Sequence, residues 1–147
     1  AGSPAHEVML QVAWSDHQVA NVAAEVMART AGAPVMEGLE PGRHWDFRKL
    51  EPVARYPHKG SALVYWDSGN AAPPNGNVSP TQGRDPHGDP RNEPAAGWQE
   101  AHFLLTGEHV DVCGGGAYLT NDHPVNAGAV SCVEPQRGVG PQFRPVR

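Results

Sequence analysis

The 147-residue chain is about one domain's worth and long enough to bury a core if it folds alone. A formal net charge of −5 at pH 7 leaves no basic stripe for a phosphate backbone, so nucleic acid is not an expected partner. No apolar run approaches the length of a membrane-crossing helix, and the 17 glycines and 15 prolines, crowded toward the second half, leave room for few long helices or strands.

Residues 7–14, EVMLQVAW, are apolar at most positions and stop at Ser15-Asp16, which predicts a central strand buried on both faces. From Val19 the period changes: Val19, Val22, Ala23, Val26 and Met27 form one face of a helix that ends near Gly32. Ser15 or Asp16 is expected to cap its free amides. APVME at 33–37 reads as a short strand, and residues 38–60, with Trp45, Phe47 and Tyr56 between prolines and glycines, as an ordered excursion. SALVYWD at 61–67 is the second strong strand, rich in β-branched and aromatic residues. The stretch from Ser68 to Pro94 has almost no helix or strand former, and an irregular loop of that length needs a functional reason. AAGWQEAHFLLTG then predicts a helix, with Pro94 in its first turn and Gly107 as its stop. VDVC at 110–113 is a candidate last strand, and an irregular Gly/Pro-rich tail follows.

Two cysteines, Cys113 and Cys132, lie in that C-terminal stretch without a CxxC spacing. They predict a disulfide contributing roughly 3 kcal/mol and an oxidising compartment, secreted or periplasmic. Nothing resembles a signal peptide, so an export signal is expected upstream of Ala1. The eight histidines are scattered and show no tight metal spacing.

Two segments carry chemistry: VAWSDHQV at 12–19, a strand running into a small residue and an acid before a helix, and DPHGDPRNEPAAGWQEAHFL at 85–104, a loop histidine followed by an aromatic-containing helix. Together they resemble the C-terminal portion of the α/β-hydrolase fold of secreted, lipase-like serine esterases. The resemblance spans roughly residues 7–107. It implies an α/β class with two late parallel strands, flanking helices and long loops, residues 1–110 being the C-terminal half of the domain and 111–147 a tail. It also implies a catalytic triad with Asp16 as the acid and His87 as the base, no cofactor, and an ester substrate. The physical requirement agrees, because a carboxylate that orients an imidazole needs a rigid strand end, and the histidine needs a loop that reaches both it and a nucleophile.

Other assignments compete. Asp16 is also a plausible plain N-cap, and His17 a packing or rim residue. His102, inside the second helix, and His44 are rival bases, and Asp67 a rival acid. Asp85, His87, Asp89 and Glu93 offer metal ligands, although their spacing matches neither a zinc motif nor the calcium loop and three prolines restrict them. Trp45, Phe47, Tyr56 and Trp66 are candidates for an apolar acyl site or for core.

One part of the family pattern is missing. A nucleophile on a sharp turn within G-x-S-x-G is required, and none of Ser3, Ser15, Ser61, Ser68, Ser79 and Ser131 sits in that pattern. Cys113 lacks the preceding glycine and comes after the histidine. The expected assembly therefore pairs this chain with an N-terminal chain bearing the nucleophilic serine, separated by processing or a gene split. The alternative is a non-enzymatic, disulfide-stapled secreted binding module.

Overall fold

The segment ALVYW organises the sheet. In a computed structural model of the protein, which describes residues 5–36, 50–113, 118, 120 and 132, the elements in chain order are β1 (Met9–Ala13), α1 (Asn21–Ala31), β2 (Val35–Met36), β3 (His58–Lys59), β4 (Ala62–Trp66), α2 (Asp89–Asn92), α3 (Pro94–Thr106) and β5 (Glu108–His109). All five β4 residues are buried. The strand runs parallel to β1 on one side and to β2 on the other. Such a strand contacts protein on both edges and both faces, which explains its unbroken apolar run. The chain is thus a mixed helix and strand structure built on a small parallel sheet.

The faces of β4 separate two cores. Ala62, Val64 and Trp66 pack with Met36, Ala95, Ala96 and Tyr118, whereas Leu63 and Tyr65 pack with Trp14, Ala28 and Val35. Alternation along the strand therefore sends one set toward α3 and the other toward α1. Each large side chain removed from water in this way is worth about 1.5–3 kcal/mol. Cys113 and Cys132 form a disulfide, and Cys132 is buried within the core on the α3 side. The bridge therefore ties the segment after β5 to the sheet.

Three expectations are corrected. β1 is not central: among the described residues it pairs only with β4, and residues 9–12 are half-buried. The Val8 carbonyl accepts from Ala62 and the Trp14 N–H donates to Trp66, so the even-numbered residues direct their backbone groups at β4. The odd-numbered ones, Met9 and Gln11 among them, direct theirs the other way. VDVC is not a strand either. The Asp111 carboxylate accepts from the Cys113 N–H at 3.0 Å, and this Asx turn bends the chain. Pairing falls instead to β5, antiparallel to β3.

The third correction concerns α1. Its N-cap is Ala20, and neither Ser15 nor Asp16 caps it. Its buried residues are Asn21, Val22, Glu25 and Ala28, while Val19, Val26 and Met27 are half or more exposed. Polar groups face the sheet because each has a partner there. The Tyr65 hydroxyl donates to Glu25 Oε1 at 2.8 Å; burial first, and the Glu25 charge second, raise its pKa above the usual phenol value. Asn21 accepts from the Ser15 N–H and donates to the Ala13 carbonyl, both at 2.8 Å. On the opposite face of the sheet, the buried Gln99 of α3 accepts from Gln11 and donates to the Val110 carbonyl.

Asn21→Ala leaves a buried N–H and a buried carbonyl without their partner at the end of β1. We expect it to lower the unfolding free energy by about 2–4 kcal/mol in urea titration; a loss within error of zero would show that this bridge contributes nothing.

Candidate functional site

Because β1 and β4 are parallel and in register from Met9↔Ala62 to Ala13↔Trp66, their carboxyl ends lie level on one side of the sheet. Segments leaving those ends are where open α/β sheets place their ligands. From β1 the chain enters a tight turn at Ser15, whose φ of +64° is uncommon outside glycine. The two Asn21 bonds that span Ser15 hold it there.

Asp16 follows, with only 5% of its surface exposed. Its Oδ1 accepts from the Gln18 and Val19 N–H groups at 2.7 and 3.1 Å, which fixes the carboxylate in orientation. Its Oδ2 lies 2.8 Å from Nδ1 of His87, 71 residues away in sequence. The tautomer follows from the other ring nitrogen. Arg91 Nη2 lies 3.2 Å from His87 Nε2, and a guanidinium can only donate. Nε2 therefore carries the lone pair, and Nδ1 carries the proton donated to Asp16.

Two further acids hold the histidine loop. Asp85 accepts from the His87 N–H at 3.0 Å, from the Gln18 side-chain amide at 2.8 Å and from the His17 N–H at 3.4 Å. It thus clips the turn bearing Asp16 to the loop bearing His87. Those bonds, the Gln18 amide first, hold its carboxyl below the usual carboxylate range. Asp89 takes Arg84 in a two-pronged pair at 2.8 and 2.6 Å and also accepts from Ser68, whose hydroxyl meets Thr120. Sequence reasoning missed both positioning roles. The signal available was the Asp-x-His-x-Asp spacing, which brackets the histidine as closely as it brackets a metal site.

The other sequence candidates go elsewhere. The Asp67 carboxylate turns back onto the Gly69 N–H. His102 stacks on Trp98 and faces Glu108 at 3.8 Å. Trp66 is fully buried against Tyr118 and serves the core; His44, Trp45 and Phe47 lie outside the described residues. His17 is half-buried beside the acid, its backbone on Asp85. Among the described residues no three of His, Cys, Asp and Glu converge as metal ligands, since Asp85, His87 and Asp89 each serve the different partners given above.

Asp16, His87 and Arg91 open onto a cleft of about 530 Å³ beside β1, with Val12, Val19, Phe103 and Leu104 among its apolar walls. Phe103, absent from the sequence-based candidates for an acyl site, is the aromatic residue on that wall. No family model, curated protein or solved structure matches this chain. The chemistry of the site therefore has to be argued from its own geometry. An imidazole that lines a cleft and whose Nδ1 is held by a buried carboxylate is equipped to accept a proton at Nε2 and to have the resulting charge balanced.

The Asp85 clip predicts an acid-sensitive component of stability. With the folded pKa below the unfolded value of about 3.9, the contribution is full above about pH 5 and is lost as pH falls through the lower folded value. Urea midpoints of wild type and Asp85→Asn, compared across the acid range, should converge on acidification. A difference that stays constant with pH would show that the Asp85 charge contributes no stability.

Proposed function

We propose that this chain is the acid- and base-bearing part of a secreted or periplasmic serine hydrolase of the α/β-hydrolase type that cleaves carboxylic esters, with the nucleophilic serine supplied by a separate N-terminal chain. The observation that carries the reading is the 2.8 Å bond from His87 Nδ1 to Asp16 at the carboxyl ends of two parallel strands, with both residues lining the cleft. Apolar cleft walls suit an acyl chain. The disulfide between Cys113 and Cys132 suits an oxidising compartment.

The partner chain is argued from what lies uncovered. Among the described residues the outward backbone groups of Met9 and Gln11 pair with no strand, and an unpaired sheet edge invites another strand. Val19 and Leu104, which line the cleft beside β1, are exposed by 50% and 73%, and Val26 and Met27 on α1 by 50% and 57%. A second chain that extends the sheet at β1 would cover these groups and bring a serine to the same side as His87.

In the reaction, His87 Nε2 takes the serine hydroxyl proton as the oxygen attacks the acyl carbon, and Asp16 balances the imidazolium. The proton then passes from Nε2 to the departing alcohol oxygen as the ester C–O bond breaks. Water repeats the cycle on the acyl-enzyme and returns the free acid.

A fluorophosphonate probe tests this reading on the native assembly. The label should fall on the partner chain and leave this chain unlabelled. His87→Ala should abolish labelling, and Asp16→Asn should slow ester turnover by about 10³–10⁴-fold. Labelling indifferent to His87→Ala would return the chain to a disulfide-stapled binding module. Native mass spectrometry checks the two-chain arrangement, and a folded, monodisperse 15.7 kDa species in native material would overturn it.

A further inference from the structure

We propose that Arg91 is a carboxylate-reading latch on His87, which directs the site toward esters that carry a free carboxylate of their own. The inference rests on the proposed role of His87 as the base. Arg91 Nη2 donates to the Nε2 lone pair that the base must use. While that bond persists Nε2 cannot accept a proton, and once it has done so the imidazolium and the guanidinium repel each other. A working cycle therefore requires the guanidinium to leave.

The structure lets it leave without unfolding anything. Arg91 is exposed and sits one turn beyond His87, on α2, whose backbone is pinned by the pairing of Asp89 with Arg84 and Ser68. Its side chain can swing while the helix stays. Among the described residues no carboxylate pairs with it, and His87 is its side-chain partner, whereas Arg84 pairs with Asp89. A substrate carboxylate is a stronger partner than a neutral imidazole, because the hydrogen bonds are charge-assisted and two-pronged. The ionisable groups lining the cleft are Asp16, His87, Arg91 and Glu100. Asp16 is committed to His87, and Glu100 on α3 is the internal rival for the guanidinium. The apolar wall of Met9, Val12, Phe103 and Leu104 would hold the alkyl part of such an ester and separate it from a bare carboxylate.

Site-resolved carbethoxylation of the full chain with diethyl pyrocarbonate reads access to His87 Nε2 directly, with the exposed His6 as internal reference. Arg91→Gln should raise His87 labelling about 2- to 10-fold, the factor one hydrogen bond is worth. Monomethyl succinate should produce the same increase in wild type and none in Arg91→Gln, and dimethyl succinate should have no effect. Equal labelling of wild type and Arg91→Gln would overturn the latch. An equal effect of acetate at the same concentration would reassign Arg91 to the product acid and overturn the substrate class. A fall in ligand-free labelling in Glu100→Gln would make the latch internal and overturn it as well. Because the readout needs no ester turnover, failure of the latch and failure of the esterase reading are separately visible.

Discussion

The site depends on one geometric constraint, the parallel, in-register pairing of β1 with β4. Five consecutive residue pairs, from Met9↔Ala62 to Ala13↔Trp66, end level with each other, so the turn after Ala13 and the loop after Trp66 leave the sheet side by side. Shifting that register by one residue would turn the buried set Ala62, Val64 and Trp66 to the opposite face. It would also move Asp16 about 3.3 Å, one residue's rise, along the strand direction relative to the loop of His87. The packing that fixes the register is therefore the packing that brings acid and imidazole to 2.8 Å.

Carboxylates do most of the work of placing the histidine, and each does so through amide hydrogens or a guanidinium. Asp16 is oriented by two N–H groups of its own turn, Asp85 spans the gap between turn and loop, and Asp89 anchors α2 through Arg84 and Ser68. An imidazole gripped from both sides along the chain has little freedom left. The same logic recurs under α1, where Asn21 spans the Ser15 turn and Glu25 receives the Tyr65 hydroxyl. Polar groups are buried there only because each is paired.

The elements legible in the sequence are those whose signals are local. SALVYWD contains β4 because a strand buried on every side must be apolar at every position. The helix after the long loop begins at Pro94 and ends before Gly107, which takes φ +70°, because proline lacks the N–H that the first turn leaves unpaired and glycine adopts the left-handed cap without strain. Where the reading departs from the structure, a distant partner decided the outcome. The Val19, Val22, Val26 and Met27 stripe identifies a helix, yet the side of α1 that is buried carries Asn21 and Glu25, whose partners Ala13 and Tyr65 come from two strands. VDVC has strand-forming residues, but Asp111 bends it. Asp85 and Asp89 look like candidate ligands until their separate partners are known.

By itself the sequence determined the two strong strands, the two longer helices and the absence of a G-x-S-x-G turn, because composition, period and punctuation act over a few residues. Only the tertiary structure decided that Asp16 Oδ2 meets His87 Nδ1, that β1 pairs only with β4 among the described residues, that Asp85 clips the turn to the loop, and that Arg91 meets Nε2. These depend on contacts between segments tens of residues apart, up to the 71 that separate the acid from the imidazole. No local preference encodes such contacts, and only the packing of both faces of β4 selects them.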